Sequence, residues 1–248
     1  MNARKVFLIL AVLLLLGFMV GAASILKNNG SPLIQPVSAG EIYPLFFCPC
    51  CGAPLDKNNI CCEQARERIT YIDSLTAAGE SKDAIILAYA KKYGLGSFVD
   101  ENQGKEFKEQ LIAQAPASRP IISLISELYD FGDVSETKGI VTTLFELKNE
   151  GQKDLIIDKL DSSCGCTSAS VIFKGEEGPR YAMAGHGIEN PTDWEIVIPP
   201  GESAQLNVYY DPSIHKGFRG PATREISVFS NDPINFEKKV TVELNQVD

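Results

Sequence analysis

The stretch that most limits what this chain can become is Phe47-Cys-Pro-Cys-Cys-Gly52, followed after a short polar run by Cys61-Cys62. Five of the seven cysteines fall between positions 48 and 62. Cys48 and Cys51 form a C-x-x-C pair with Cys50 between them. Two residues three apart in a tight turn can bring their Cα atoms within the roughly 4.4–6.8 Å that a disulfide requires. Such a pair can cycle between dithiol and disulfide, or chelate a metal. The compartment decides which, so the N-terminus comes next.

Arg4 and Lys5 precede an uncharged run, Val6 to Leu26. At about 1.5 Å per residue it spans about 31 Å, the thickness of a hydrocarbon core. The basic flank predicts a single-pass cell-membrane protein with its N-terminus in the cytoplasm and its body extracytoplasmic. A cleaved signal peptide is the alternative, because Gly21-Ala-Ala-Ser24 offers small residues for processing. Residues 1–27 are thus anchor or signal, and the Asn-, Gly-, Ser- and Pro-rich residues 28–44 a tether. Outside the cytoplasm disulfides persist, and an odd number of cysteines leaves at least one sulfur free or paired elsewhere. The net charge of −9 argues against nucleic acid, which needs a basic face.

Residues 45–115 read as a small three-helix bundle. Asn59 is expected to cap a first helix whose opening turn holds Cys61, Cys62 and Glu63, with Ala65, Ile69, Ile72 and Leu75 on its apolar face. Gly79 stops it. Ser81 caps a second helix with Ile85, Tyr89 and Tyr93 on its buried stripe, ended by Gly94. A third is expected from about Lys105, with Phe107, Leu111 and Ala115 in register. So small a bundle buries little surface, which favours a cysteine cross-link as a staple.

Here the chain resembles a known family. The C-x-x-C, the helix Gln64-Ala-Arg-Glu-Arg68, then Ala77-Ala-Gly-Glu-Ser-Lys-Asp83 and Lys92-Tyr-Gly94 look like the redox domain of the cytochrome c maturation protein H family (CcmH/CycL), over about Leu45 to Val99. The resemblance implies a membrane-anchored extracytoplasmic thiol–disulfide oxidoreductase or thiol carrier acting in cytochrome c maturation. Cys48 and Cys51 fall at the family's redox pair, and the implied partners are client protein thiols, those of apocytochrome c among them. The chain departs from that family in the thiols Cys50, Cys61 and Cys62 and in an anchor that precedes the domain.

Ala115-Pro-Ala-Ser-Arg-Pro120 reads as a stiff linker, with 116–120 the boundary. From Ile121 the periodicity becomes two: Val141–Leu147, Leu155–Leu160, Trp194–Ile198, Ala204–Tyr210, Arg224–Ser230 and Phe236–Leu244 alternate between turn signals. Residues 121–248 therefore predict an Ig-like antiparallel β-sandwich, and the whole an α+β multidomain protein. Tyr129-Asp-Phe-Gly-Asp-Val134, Leu147-Lys-Asn-Glu-Gly151, Ser163-Cys-Gly-Cys-Thr167, Pro200-Gly-Glu202 and Ser230-Asn-Asp-Pro233 resemble the bacterial Ig-like domain of unknown function marked by a C-G-C-T motif, related to Hydin-type modules. Between Cys166 and Pro200 the sequence leaves a long segment, with the Gly-rich Lys174–Asp193 inside it, beyond ordinary loop length.

Several chemistries remain open on these residues. The redox reading of Cys48 and Cys51 needs no cofactor. A permanent disulfide would be structural only. Zinc is the alternative cofactor, with Cys48, Cys51, Cys61 and Cys62 as four thiolates, in a non-enzymatic metal-binding or structural adaptor of the cell envelope. Cys50, Cys61 and Cys62 are candidate resolving or structural thiols. So are Cys164 and Cys166, a C-x-C pair whose alternatives are a thiol relay or a copper-like soft-metal site. Met183, His186 and His215 are the other soft ligands nearby, and His186 is the expected third member. Because Cys164 and Cys166 follow an expected strand, its ladder should resist closing them on each other. Trp194 is expected in the core. No Ser-His-Asp set, phosphate loop or haem-attachment C-x-x-C-H is present.

Overall fold

Three helices are set by their caps. The computed structural model describes residues 37–183, 186 and 189–248. The expected anchor at Val6–Leu26 lies outside these, as does the tether up to residue 36. Among the described residues no helix is long and apolar enough to cross a membrane. Helix α1 spans Glu63–Ala77, α2 Lys82–Tyr93 and α3 Glu101–Gln114. The cap of α1 is Cys62, not Asn59: its sulfur accepts the Ala65 amide at 3.4 Å. Asp56 explains the difference. Its carboxylate takes the Asn58 amide at 2.9 Å and its carbonyl the Asn59 amide at 3.1 Å, a local turn that keeps these residues out of the helix. Ser81 caps α2 through the Ala84 amide, and Gly94 ends it at φ 86°. Helix α3 begins four residues before Lys105 because Asp100 caps it. Its first turn is polar apart from Gly104, which packs against Phe98, so the apolar period only becomes visible at Phe107.

The helices close over an aromatic stack. Phe46 lies on Tyr89 with ring centroids 3.8 Å apart, and Phe98 bridges Phe46 to Phe107. Ile42, Ile69, Ile72 and Ile85 complete this core. Each such side chain removed from water contributes about 1.5–3 kcal/mol.

The strands form two facing sheets. One has the order β1 (Ile122–Leu124), β3 (Val141–Asn149), β9 (Ser203–Tyr210), β5 (Thr167–Phe173) and β6 (Glu176–Glu177), with β7 (Tyr181–Ala182) also on β5. The other runs β2 (Leu128–Ser135), β11 (Glu237–Val247), β10 (Gly220–Ser230), β4 (Leu155–Ser162) and β8 (Ile196–Ile198). Alternation places Leu147, Leu206, Val208 and Val171 of one sheet against Leu160, Val228, Val240 and Val242 of the other. This is the expected Ig-like sandwich, with two corrections. The sheets are not wholly antiparallel: β2 runs parallel to β11. The first extended stretch begins on β3 and then crosses to the opposite sheet without reversing, so it meets the last strand in parallel. Nor is the segment after Cys166 one long loop. Its apolar start is β5, and Lys174 and Gly175, both at positive φ, turn it directly into β6. Residues 38–248 form one compact unit.

Candidate functional site

The N-terminal cysteines meet where a tight turn abuts the start of α1. The Cys48 amide donates to the Ala53 carbonyl at 2.7 Å, and the Gly52 amide to the Cys48 carbonyl at 2.8 Å. Gly52 sits at φ 70°, which suits glycine and little else. The turn folds Cys48 inward to 2 % exposure while Cys50 and Cys51 stay at the surface. Capping fixes Cys62 over the same spot, with exposed Cys61 beside it. The Cys48 sulfur thus lies 3.2 Å from that of Cys61 and 3.4 Å from that of Cys62, and Cys61 lies 3.3 Å from Cys51. The expected pair, Cys48 and Cys51, is thus joined through Cys61, which touches both. Arg68, nearly two helical turns on, donates to the Phe47 carbonyl and to the Tyr89 hydroxyl, each at 3.4 Å, pinning the turn to the helices.

Protonation within the cluster is unequal. Burial alone would push the Cys48 thiol up. Hydrogen bonds from Cys61, from the Cys50 and Cys51 amides and from Cys62 outweigh it and bring Cys48 down to about 6. Cys61 moves up, because it keeps its proton to donate to Cys48 and Cys51. Hydrogen bonding with Cys62 raises Cys50 to about 11. The lowering at Cys48 and the raising at Cys61 and Cys50 favour the negative charge on the buried sulfur.

A second centre forms in the sandwich at the β4–β5 turn. Cys164 and Cys166 sit between the end of β4 at Ser162 and the start of β5 at Thr167, so no ladder holds either of them. Their sulfurs are 2.9 Å apart. The Ser162 hydroxyl donates to the Cys164 carbonyl at 2.9 Å, and the Cys166 carbonyl accepts the Asp211 amide at 2.8 Å. His215 Nε2 lies 3.1 Å from the Cys164 sulfur, and Arg224 Nε donates to Cys166 at 3.1 Å. The imidazole beside the pair is thus that of His215. His186 instead packs over Gly165, where a Cβ would come 3.0 Å from its own. Burial pushes Cys164 up, but hydrogen bonds from Cys166 and His215 and the charge of Arg224 bring it down to about 7. Burial, then the contact with Cys164, raises Cys166. Arg224 was not foreseen: its side chain comes from 58 positions away, from a strand whose alternation marks it only as outward-facing.

Among the described residues two sets of donor atoms form, the members of each within 4.8 Å of one another: Cys48, Cys61 and Cys62, and Cys164, Cys166 and His215. A groove of about 290 Å³ runs from Gln64, whose side-chain oxygen accepts from Cys50, to Ser162 and Met183 beside the second centre. Trp194 is half-buried, packed on Tyr181 and Gly178 at the sandwich edge rather than inside it.

Residues 122–178 match DUF1573. That family is described as a protein of unknown function. The DUF1573 match takes in β1 to β6 with Cys164 and Cys166, and stops short of His215 and Arg224; it does not reach the N-terminal cysteines. No curated protein matches the chain. A protein of unknown function from Porphyromonas gingivalis W83 aligns at 20% identity and a TM-score of 0.38, over 54% of this chain and 50% of its own. This chain therefore spans about half the length of that protein. The ASH / PapD-like domain 7 of human CEP192 aligns at 14% identity and a TM-score of 0.35, over 54% of this chain and 90% of its own. The YadV chaperone aligns at 12% identity and a TM-score of 0.31, over 52% of each chain.

Proposed function

We propose that the N-terminal cysteine cluster is a thiol–disulfide exchange centre, carried outside the cytoplasm by the Val6–Leu26 anchor and acting on the cysteines of a client protein. The observation that carries this reading is the buried Cys48 sulfur at 3.2 Å from exposed Cys61, itself 3.3 Å from exposed Cys51. Exchange begins on a surface sulfur, Cys51 or Cys61, which gives up its proton to solvent as it attacks a client disulfide and releases one client thiolate. Cys48 then attacks the mixed disulfide and releases the second. Two electrons pass to the client, and one disulfide is left on this chain; the reverse sequence oxidises a client dithiol. The CcmH-like residues Leu45–Val99 support apocytochrome c as the client.

Zinc binding is the second reading, favoured by the mutual approach of Cys48, Cys61 and Cys62 with Cys51 adjacent. Zinc–sulfur bonds of about 2.3 Å in a tetrahedron set sulfurs about 3.8 Å apart. Such a site takes four sulfurs, and among the described residues only Cys48, Cys61 and Cys62 lie within 4.8 Å of one another, with Cys51 outside that set. Exchange therefore ranks first. Insulin reduction by the dithiol-reduced full chain, carrying Cys164→Ser throughout so that only the N-terminal cysteines report, separates the two. The account expects turnover abolished in Cys48→Ser and at least tenfold slower in Cys61→Ser. Turnover unchanged in both variants, or one tightly bound zinc per chain, removes the exchange reading.

A further inference from the structure

We propose that the C-G-C turn of the sandwich is a second, independent thiol-exchange site, in which Cys164 attacks a substrate disulfide and Cys166 resolves the mixed disulfide. The two sulfurs differ in the way the two roles require. Cys164 is partly exposed, whereas Cys166 is 2 % exposed and faces Val134, Tyr210 and Leu244. A substrate can reach the first and not the second. At 2.9 Å the resolving sulfur already stands beside the bond it must break.

The surroundings favour an anionic sulfur. His215 and Arg224 each direct a ring or guanidinium nitrogen at one of the two sulfurs at 3.1 Å. An incoming cation would sit against the fixed positive charge of Arg224, while a thiolate gains from it. A thiol titrating near ambient pH is also the fastest attacker, and Cys164 lies at about 7. The backbone permits closure as well. Both residues lie outside the strand ladders, Gly165 carries no side chain between them, and the turn is held at its ends by Ser162, Thr167 and Asp211. The expected resistance from a strand ladder does not apply to this turn.

The step balances without another reagent. The Cys164 thiolate forms a bond to one substrate sulfur and expels the other as thiolate. Cys166 loses its proton to solvent and attacks Cys164, and the second substrate sulfur leaves as thiolate. The substrate disulfide is reduced by two electrons, and Cys164–Cys166 becomes the disulfide. Arg224 and His215 act through the sulfurs and are positioning residues.

The test uses the reduced full chain with oxidised glutathione in one arm and insulin in the other, read by mass spectrometry on the peptide carrying residues 164 and 166. Wild type should end as the Cys164–Cys166 disulfide with no adduct. Cys166→Ser should hold a stable mixed disulfide on Cys164, and Cys166→Ala serves if the buried hydroxyl unfolds it. Cys166 in Cys164→Ser should react at least tenfold more slowly than Cys164 does in Cys166→Ser. Arg224→Met should slow the reaction severalfold and Arg224→Lys recover part of it. Reaction in the glutathione arm alone marks a small-molecule disulfide as substrate, and faster reaction with insulin marks a polypeptide one; either supports the site. Adducts forming equally on Cys164 and Cys166, a persistent adduct in wild type, or no reaction in either arm overturns it.

Discussion

Asn149 offers the sharpest test of how the sandwich is held. It is fully buried, and its side chain ties three loops to the end of β3. Nδ2 donates to the Lys153 carbonyl at 2.8 Å and the Ile198 carbonyl at 2.9 Å, while Oδ1 accepts the Gly151 amide at 2.9 Å and, more weakly, the Ile121 amide at 3.4 Å. Asn149→Ala removes three good hydrogen bonds, each worth about 0.5–1.5 kcal/mol net. Lys153 is exposed and its carbonyl turns to water, but the Ile198 end is dry. The expected loss is about 2–4 kcal/mol. Urea unfolding followed by fluorescence measures it, because the chain's one tryptophan, Trp194, sits on the sandwich. Asn149→Asp sharpens the test. It keeps the acceptor but turns a second oxygen toward two carbonyls, so it must carry a proton to fit. A carboxyl raised in this way stabilises at low pH and loses that stability as pH rises, so Asn149→Asp should be weaker at neutral than at mildly acid pH. A loss below about 1 kcal/mol in Asn149→Ala, or no pH dependence in Asn149→Asp, would refute the reasoning.

Three further outcomes are expected. Phe46→Ala should cost about 3–5 kcal/mol, as aromatic truncations in closed cores do, and should expose Cys48 to alkylation; unchanged alkylation would detach the aromatic stack from the site. Thiolate absorbance at Cys48 should fall as pH drops through about 6. Its folded value lies below its unfolded one, so the stability it contributes is present above the unfolded thiol's range and lost as pH falls through about 6; Cys48→Ser should lack this step, and its presence there would reassign it. Gly178→Ala should displace the Trp194 ring, 2.8 Å from the added carbon, and shift its emission at a cost of about 1–3 kcal/mol; an unchanged spectrum would contradict the packing.

Local signals were legible in the sequence and long-range ones were not. Ser81, Gly94 and the apolar spacing of Ile85 and Tyr89 mark α2 because a helix is written within one turn of itself. The strands on either side of Asn149 and Tyr210 show in alternation for the same reason. The parallel meeting of β2 and β11 depends on where an extended stretch changes sheets, which no short window encodes. The cysteine-rich turn is legible as a turn, but the start of α1 moved because Asp56 draws Asn58 and Asn59 into a turn of their own. At the second centre the two cysteines are two positions apart, while His215 arrives from 51 positions away. His186 is nearer in sequence, yet the turn at Gly165 uses it for packing.

The most direct test of the exchange account is to equilibrate the full chain in glutathione buffers of stepped potential and map the partner of Cys48 by peptide mass spectrometry. The account predicts a reversible transition in which Cys48 passes from free thiol to a disulfide with Cys61 or Cys51. Its midpoint should lie between about −120 and −270 mV, the span of working exchange proteins. A disulfide on Cys48 that resists reduction below about −300 mV would make the bond structural. A Cys48 that stays reduced throughout, with zinc bound, would make it a metal ligand. Either result would contradict the account.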